Sequence, residues 1–188
     1  MIIAGYKLSP LWQTGLLPVF FLLSAITMGF AVTIFESILS SMAFKRPFET
    51  PMIAKVGGIM AWVIGVYLVL RFLDLVVRGQ LGLLFQGNLN SLMFIIENLC
   101  FAAALVLMAS PATRSQTRWL FVGSAAMLLA GSLYRFNAFL IGFSPGPGWG
   151  YFPALPEILI TLAIVAVELM AYLYFVKKYP VLSKVEHA

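Results

Sequence analysis

The chain has 188 residues, of which 62% are hydrophobic and 10% charged, with a net charge of +5 and a mean hydropathy of +0.98. No soluble domain of this size can bury so much apolar surface, and the apolar runs are continuous rather than alternating, which argues against a membrane β-barrel. A polytopic all-α integral membrane protein is expected. The positive residues lie mostly in short segments between apolar runs, where they set topology, so nucleic acid is not an expected partner.

Five membrane-spanning helices are predicted, over 16–39, 56–77, 91–110, 119–143 and 157–176, in a single domain covering 1–188. Each is close to the ~20 residues that cross ~30 Å of hydrocarbon. The sequence Ser41-Met42-Ala43 has the form of a small-x-small cleavage site. The uncharged core over 15–35 is too long for a signal h-region, so the first span is expected to be retained. Lys45, Arg46, Lys55, Arg114, Arg118, Lys177, Lys178 and Lys184 fall on one side of these spans, against Lys7 and Arg78 on the other. The positive-inside rule then puts the N-terminus outside and the C-terminus in the cytoplasm. Gly57, Gly58, Gly65, Gly123 and Gly131 provide for close helix packing without a clean GxxxG pair.

Ionisable residues inside the spans are the candidates for function, because each costs roughly 2.5–3.5 kcal/mol at a helix centre. Arg71, Asp74 and Arg78 share one face of the second span by spacings of three and four. They are either a self-neutralising salt-bridge ladder near the outer surface or a polar wall for a quinone headgroup or proton path. Glu97, in the outer half of the third span, has no basic residue within a turn, so its partner must come from another helix. Arg71 and Arg135 lie at a suitable depth. Glu36, near the inner end of the first span, and Glu168, in the fifth, extend the range of depths to the inner face, as a proton relay requires. The alternative for Glu36 is snorkelling to the surface.

The 144–156 segment holds three glycines and four prolines and no charge. Its Trp149, Tyr151 and Phe152 make either an interfacial anchor or a docking floor for an external subunit. Cys100 and His187 are the only cysteine and histidine. No cysteine-ligated cluster, no two-histidine haem and no metal site is expected within this chain.

The run Tyr134-Arg135-Phe136-Asn137, then Phe143-Ser144-Pro145-Gly146-Pro147-Gly148, Tyr151-Phe152-Pro153, Glu157 and Val167-Glu168-Leu169-Met170-Ala171-Tyr172 resembles the NrfD/PsrC family of quinone-interacting membrane subunits. Ala4-Gly5-Tyr6-Lys7, Pro10-Leu11-Trp12-Gln13, Met28-Gly29-Phe30, Ile34-Phe35-Glu36 and Leu70-Arg71-Phe72 add to the likeness. The similar subgroup is the membrane ("b-type cytochrome") subunit of nickel–iron hydrogenase-2, and the resemblance is to its C-terminal half only. It implies a bacterial inner-membrane subunit that passes electrons between a periplasmic nickel–iron hydrogenase, through an iron–sulfur subunit, and a quinone, with menaquinone expected. It also implies that the first half is either a separate membrane polypeptide or part of a longer gene. Arg71, Asp74, Glu97 and Arg135 are then the outer polar cluster, Glu36 and Glu168 the proton route, and Trp149, Tyr151 and Phe152 the docking patch. No residue here is expected to be catalytic. A structural anchor, a subunit of another NrfD-type reductase and a small transporter are the competing readings.

Overall fold

A computed structural model describes residues 7–146, 151 and 153–179. Among them are five helices long and apolar enough to cross a membrane. These are α1 (Leu17–Ala43), α2 (Thr50–Val77), α3 (Leu89–Ala109), α4 (Thr117–Phe136) with a π-helical continuation over Asn137–Ile141, and α5 (Leu155–Lys178). A 3₁₀ turn (Leu81–Phe85) joins α2 to α3, and a single helical turn (Pro111–Arg114) joins α3 to α4. Most helices outrun the expected spans. Most changed is α2, which starts six residues before position 56 and so takes Lys55 out of the loop and onto a helix.

Local sequence explains these limits. Prolines stand in the first positions of α1, α2 and α5, where a missing N–H costs nothing. Asn88 caps α3, its side-chain oxygen accepting from the Ser91 amide at 2.8 Å. Pro111 forces Ser110 to an extended conformation (φ −81°, ψ 126°), which ends α3. At the end of α2, Gly79 adopts φ +66°. The Gln80 amide donates to the Leu75 carbonyl and the Gly79 amide to that of Val76, a Schellman closure.

The chain divides into two compact units, Met1–Trp149 and Gly150–Ala188. In the first, α1 packs on α2 and α4, and α3 packs on the same two, so the four helices form a closed ring. The buried residues of α1 are Phe20, Ser24, Thr27, Ala31, Ile34 and Ile38. Their alternating steps of four and three are the repeat of a bundle seam. Apolar side chains lie on both sides of the ring, with Phe20, Ile64 and Phe101 among those packed inside. Large apolar side chains such as Trp62 and Val77 face outward, while Ser24, Thr27, Ser91, Asn98 and Ser124 are inside. Small and polar residues line helix interfaces in lipid because apolar burial gives no net drive there. Ser24, Thr27 and Ser124 return their hydroxyls to carbonyls of their own helix.

In the second unit, α5 has no buried residue, and Glu168 is exposed. Glu157 accepts from the Ala154 amide at 3.0 Å and from the Tyr151 hydroxyl, closing the first turn. That hydrogen bond holds the Tyr151 hydroxyl above its ordinary pKa. Trp149 and Phe152 lie outside the described residues.

Glycines set the ring's spacing. A Cβ on Gly123 would overlap Met108, and one on Gly131 would overlap Met28, whereas one on Gly65 would meet only Leu105 at 4.0 Å. Gly123→Val should therefore destabilise the bundle by about 1–3 kcal/mol. Gly65→Ala should be neutral within about 1 kcal/mol. Thermal unfolding of the two variants in detergent checks the contrast; equal melting temperatures would contradict it.

Candidate functional site: a buried polar cluster at one end of the bundle

Arg71 projects from α2 into the bundle with 0% exposure. Its guanidinium lies over three rings, those of Phe94 at 5.0 Å, Phe20 at 5.2 Å and Tyr134 at 5.4 Å. These rings come from α3, α1 and α4, so every helix of the ring supplies part of the cage. Such stacking is worth most when the cation is desolvated, as it is here. Its carboxylate partner among the described residues is Glu97 of α3, with Nη2 to Oε1 at 3.9 Å and both side chains fully buried. That distance is an ion pair without a hydrogen bond.

The other oxygen of Glu97 is held firmly. Oε2 accepts from Nε1 of Trp12 at 3.1 Å and from Nδ2 of Asn137 at 2.8 Å. Glu97 is thus oriented by two neutral donors, leaving Oε1 turned to the cation. Around the pair, Nε, Nη1 and Nη2 of Arg71, Oε1 of Glu97, the hydroxyls of Tyr67 and Tyr134, and Oδ1 of Asn98 and Asn137 are buried without a hydrogen-bond partner. Native interiors rarely leave so many polar atoms unmatched in one place. Tyr67 packs on Phe101, Phe20 and Tyr134, with ring centroids 4.5, 5.7 and 6.0 Å away.

Two backbone devices bring the donors in. The π turn at Asn137–Ile141 closes with the Gly142 amide donating to the Asn137 carbonyl at 2.6 Å. It keeps Asn137 on the buried side, where π turns often serve functional sites. The segment before α1 lies across this end of the bundle. Leu8 pairs with Phe143 in an isolated antiparallel bridge, with Ser9 to Gly142 and Ser144 to Lys7 hydrogen bonds of 2.6 Å each. Trp12, 0% exposed, fits because position 142 is glycine; a Cβ there would stand 2.8 Å from the indole.

The predicted Arg71–Asp74–Arg78 ladder divides in two. Arg71 turns inward to Glu97. Asp74 pairs instead with Arg78, at 2.7 Å to Nη2 and 2.9 Å to Nε. Thr14 donates to Asp74 at 2.8 Å, and Arg78 donates to the carbonyls of Pro10 and Gln13. The Asp74–Arg78 pair is partly exposed and staples the N-terminal segment in place. A three-residue step along a helix puts two side chains on one face, but the cage draws Arg71 away from Asp74.

Of the two predicted partners for Glu97, the structure uses Arg71 and not Arg135. Arg135 does not reach Glu97. Its Nη1 donates to the Gly131 carbonyl at 3.0 Å and contacts Met28 Sδ at 2.9 Å, and its guanidinium lies over Phe21 at 5.9 Å. Glu36 is exposed on α1 and makes no hydrogen bond or ion pair among the described residues. The structure therefore brings together Arg71 and Glu97, and places Asp74 in an adjoining contact. It adds Trp12, Tyr67, Tyr134 and Asn137, which the sequence did not place in the polar cluster. Of these, Trp12 has the plainest chemistry, since a buried indole N–H needs an acceptor.

Trp12→Phe keeps the ring and deletes the N–H, leaving Glu97 with one donor. The variant should lose roughly 1.5–3 kcal/mol of stability, the range for a hydrogen bond to a charged group. Thermal unfolding in detergent measures it, and a wild-type melting temperature would argue against the contact.

Comparison with known proteins gives one family and two curated relatives. The family described as "Polysulphide reductase, NrfD" matches residues 1–144. The "Probable Ni/Fe-hydrogenase 2 b-type cytochrome subunit" of Escherichia coli (strain K12) is 37% identical over 185 residues, covering 97% of this chain and 47% of that protein. A protein of Nitratidesulfovibrio vulgaris (strain Hildenborough) is 25% identical over 195 residues, covering 96% of this chain and 49% of that protein. The chain spans about half the length of these curated relatives. No solved structure gives a significant match. Because the family match takes in most of the bundle and every residue of the buried cluster, the chain belongs to the polysulphide reductase NrfD family.

Proposed function

We propose that this chain is a quinone-linked membrane subunit of a respiratory redox complex in the bacterial inner membrane. Electrons pass between a periplasmic nickel–iron hydrogenase, through an iron–sulfur subunit, and the quinone pool, with menaquinone the expected species. Family membership and the name of the E. coli relative support this reading. The N-terminus and the cluster end of the bundle face outward and the C-terminus faces the cytoplasm, a direction supported by eight basic residues against two. Tyr151, with Trp149 and Phe152, belongs to the outer segment proposed to meet the iron–sulfur partner. A separate membrane subunit supplies the other half of the relatives' length, or a longer chain does. With one histidine in this chain, a two-histidine haem would need a ligand from elsewhere.

The observation that carries the proposal is the buried Arg71–Glu97 pair with unmatched polar atoms around it. A quinone, when bound, supplies a carrier that takes up protons together with electrons. The free N–H groups of Arg71 and the hydroxyls of Tyr67 and Tyr134 have the donor chemistry a quinone carbonyl needs. They are sealed inside the bundle, however, which suits proton exchange better than a headgroup seat. In this reading Oε1 of Glu97 holds the exchanged proton, because Trp12 and Asn137 occupy Oε2. Arg71 offsets the negative charge left on Glu97 when that proton departs. Asp74 and Arg135 complete the outer polar wall, while Glu36 and Glu168 are proposed to continue the route inward.

The second reading is a structural anchor for the complex, favoured by the close aromatic cage around Arg71. Glu97→Gln separates the two. A proton-holding Glu97 predicts that hydrogen-to-quinone turnover per assembled complex falls by about 100-fold or more, with the pH dependence of the rate flattened. Reduced yield of a complex whose turnover and pH profile are unchanged would establish the anchor and dismiss the proton role.

A further inference from the structure

A second feature lies at the other end of the bundle, on the outer face of α2 where it meets α3. A groove of about 880 Å³ runs from Lys55 past Gly58, Trp62 and Gly65 to Val69, with Leu105 of α3 on its far wall. Fourteen residues of helix separate Lys55 from Val69, or roughly 21 Å. That exceeds the ~15 Å depth of one leaflet's hydrocarbon. The groove is open because Gly65 carries no side chain, its nearest neighbour being 4.0 Å from a would-be Cβ. Trp62 is 79% exposed along it.

Its basic end adjoins a smaller pocket of about 390 Å³, and Lys55 and Arg114 line both. Thr50 and Ser115 add hydroxyls to the smaller one, and no acidic residue lines either. Arg114 is seated over Gly58; any Cβ there would collide with the guanidinium. Among the described residues its one side-chain hydrogen bond, from Nη1 to the Ala54 carbonyl, is long at 3.4 Å, and Nε is buried without a partner. Two cations therefore face a pocket that holds no counter-charge, and a long apolar trough leads away from it along the helix.

We infer that this composite site binds one anionic glycerophospholipid, its phosphate between Lys55 and Arg114 and an acyl chain laid along Trp62, Gly65 and Val69. Basic pockets between membrane helices on the cytoplasmic side recognise lipid headgroups in this way. A second protein helix is the competing occupant, but the uncompensated cations at one end fit an amphiphile with a single anionic head. The inference is independent of the redox reading, since it involves neither Glu97 nor Arg71.

The test uses the chain purified from its membranes together with whatever subunits accompany it. The complex is placed in nanodiscs of phosphatidylethanolamine with or without phosphatidylglycerol, then extracted into detergent and washed. Retained phosphatidylglycerol is quantified by mass spectrometry. The wild type should retain it. Lys55→Gln with Arg114→Gln should weaken retention roughly tenfold or more, and Gly65→Leu, which blocks the trough and keeps both cations, should weaken it too. Lys45→Gln, outside both pockets, should not, and an unchanged melting temperature certifies each variant as folded. Retention unaffected by the double variant, or reduced equally by Lys45→Gln, would overturn the proposal. So would a photoreactive residue placed at Trp62 that captures protein rather than lipid.

Discussion

A permanently charged guanidinium inside four apolar helices is the constraint on which the rest of this structure depends. Arginine cannot shed its proton to escape burial, so the bundle must bring compensation to it. Glu97 provides the opposite charge, and the rings of Phe20, Phe94 and Tyr134 provide polarisable faces. Removing one partner of such a pair costs about 3–5 kcal/mol, because the other is left charged and unpaired. The pair thus locks α2 to α3, while its cage ties in α1 and α4.

That demand spreads outward. Glu97 needs donors on its second oxygen, and these arrive from a π turn in α4 and from a segment that precedes α1 altogether. The segment is held by the Leu8–Phe143 bridge and by Asp74–Arg78, and the indole closes on the glycine at 142. One end of the bundle is therefore organised by polar contacts. The opposite end holds the close Gly123–Met108 approach and the Lys55 and Arg114 side chains. In a bilayer, where apolar surfaces gain little by meeting each other, polar contacts and small residues supply the specificity.

The helices were legible because length and hydropathy suffice to mark a span, and five such helices are present among the described residues. Their ends were less legible. Pro51 starts α2 well before the hydropathy rises, and the π turn at Asn137 has no compositional mark. Glu97 stood out because an acid without a local base must find a partner elsewhere, and Arg71 was one of two candidates. The choice between Arg71 and Arg135 depended on which side of its helix each occupies relative to neighbours, information that spacing along one chain does not hold. The Arg71–Asp74 contact suggested by a three-residue step gave way to the aromatic cage, whose rings come from three other helices. Trp12 was missed because a short polar segment ahead of a span reads as a loop. Its burial appears only once Gly142 and Leu8 are seen side by side.

The most direct test of the central claim is a double-mutant cycle between Arg71→Met and Glu97→Leu, with unfolding free energy measured on the chain in its native assembly. The account predicts a loss of about 3–5 kcal/mol for each single variant. The double variant should recover at least ~2 kcal/mol of the sum, since neither charge is then left alone in the bundle. Additive losses would show that the two side chains do not compensate each other, and would contradict the buried ion pair as the organising element of the fold.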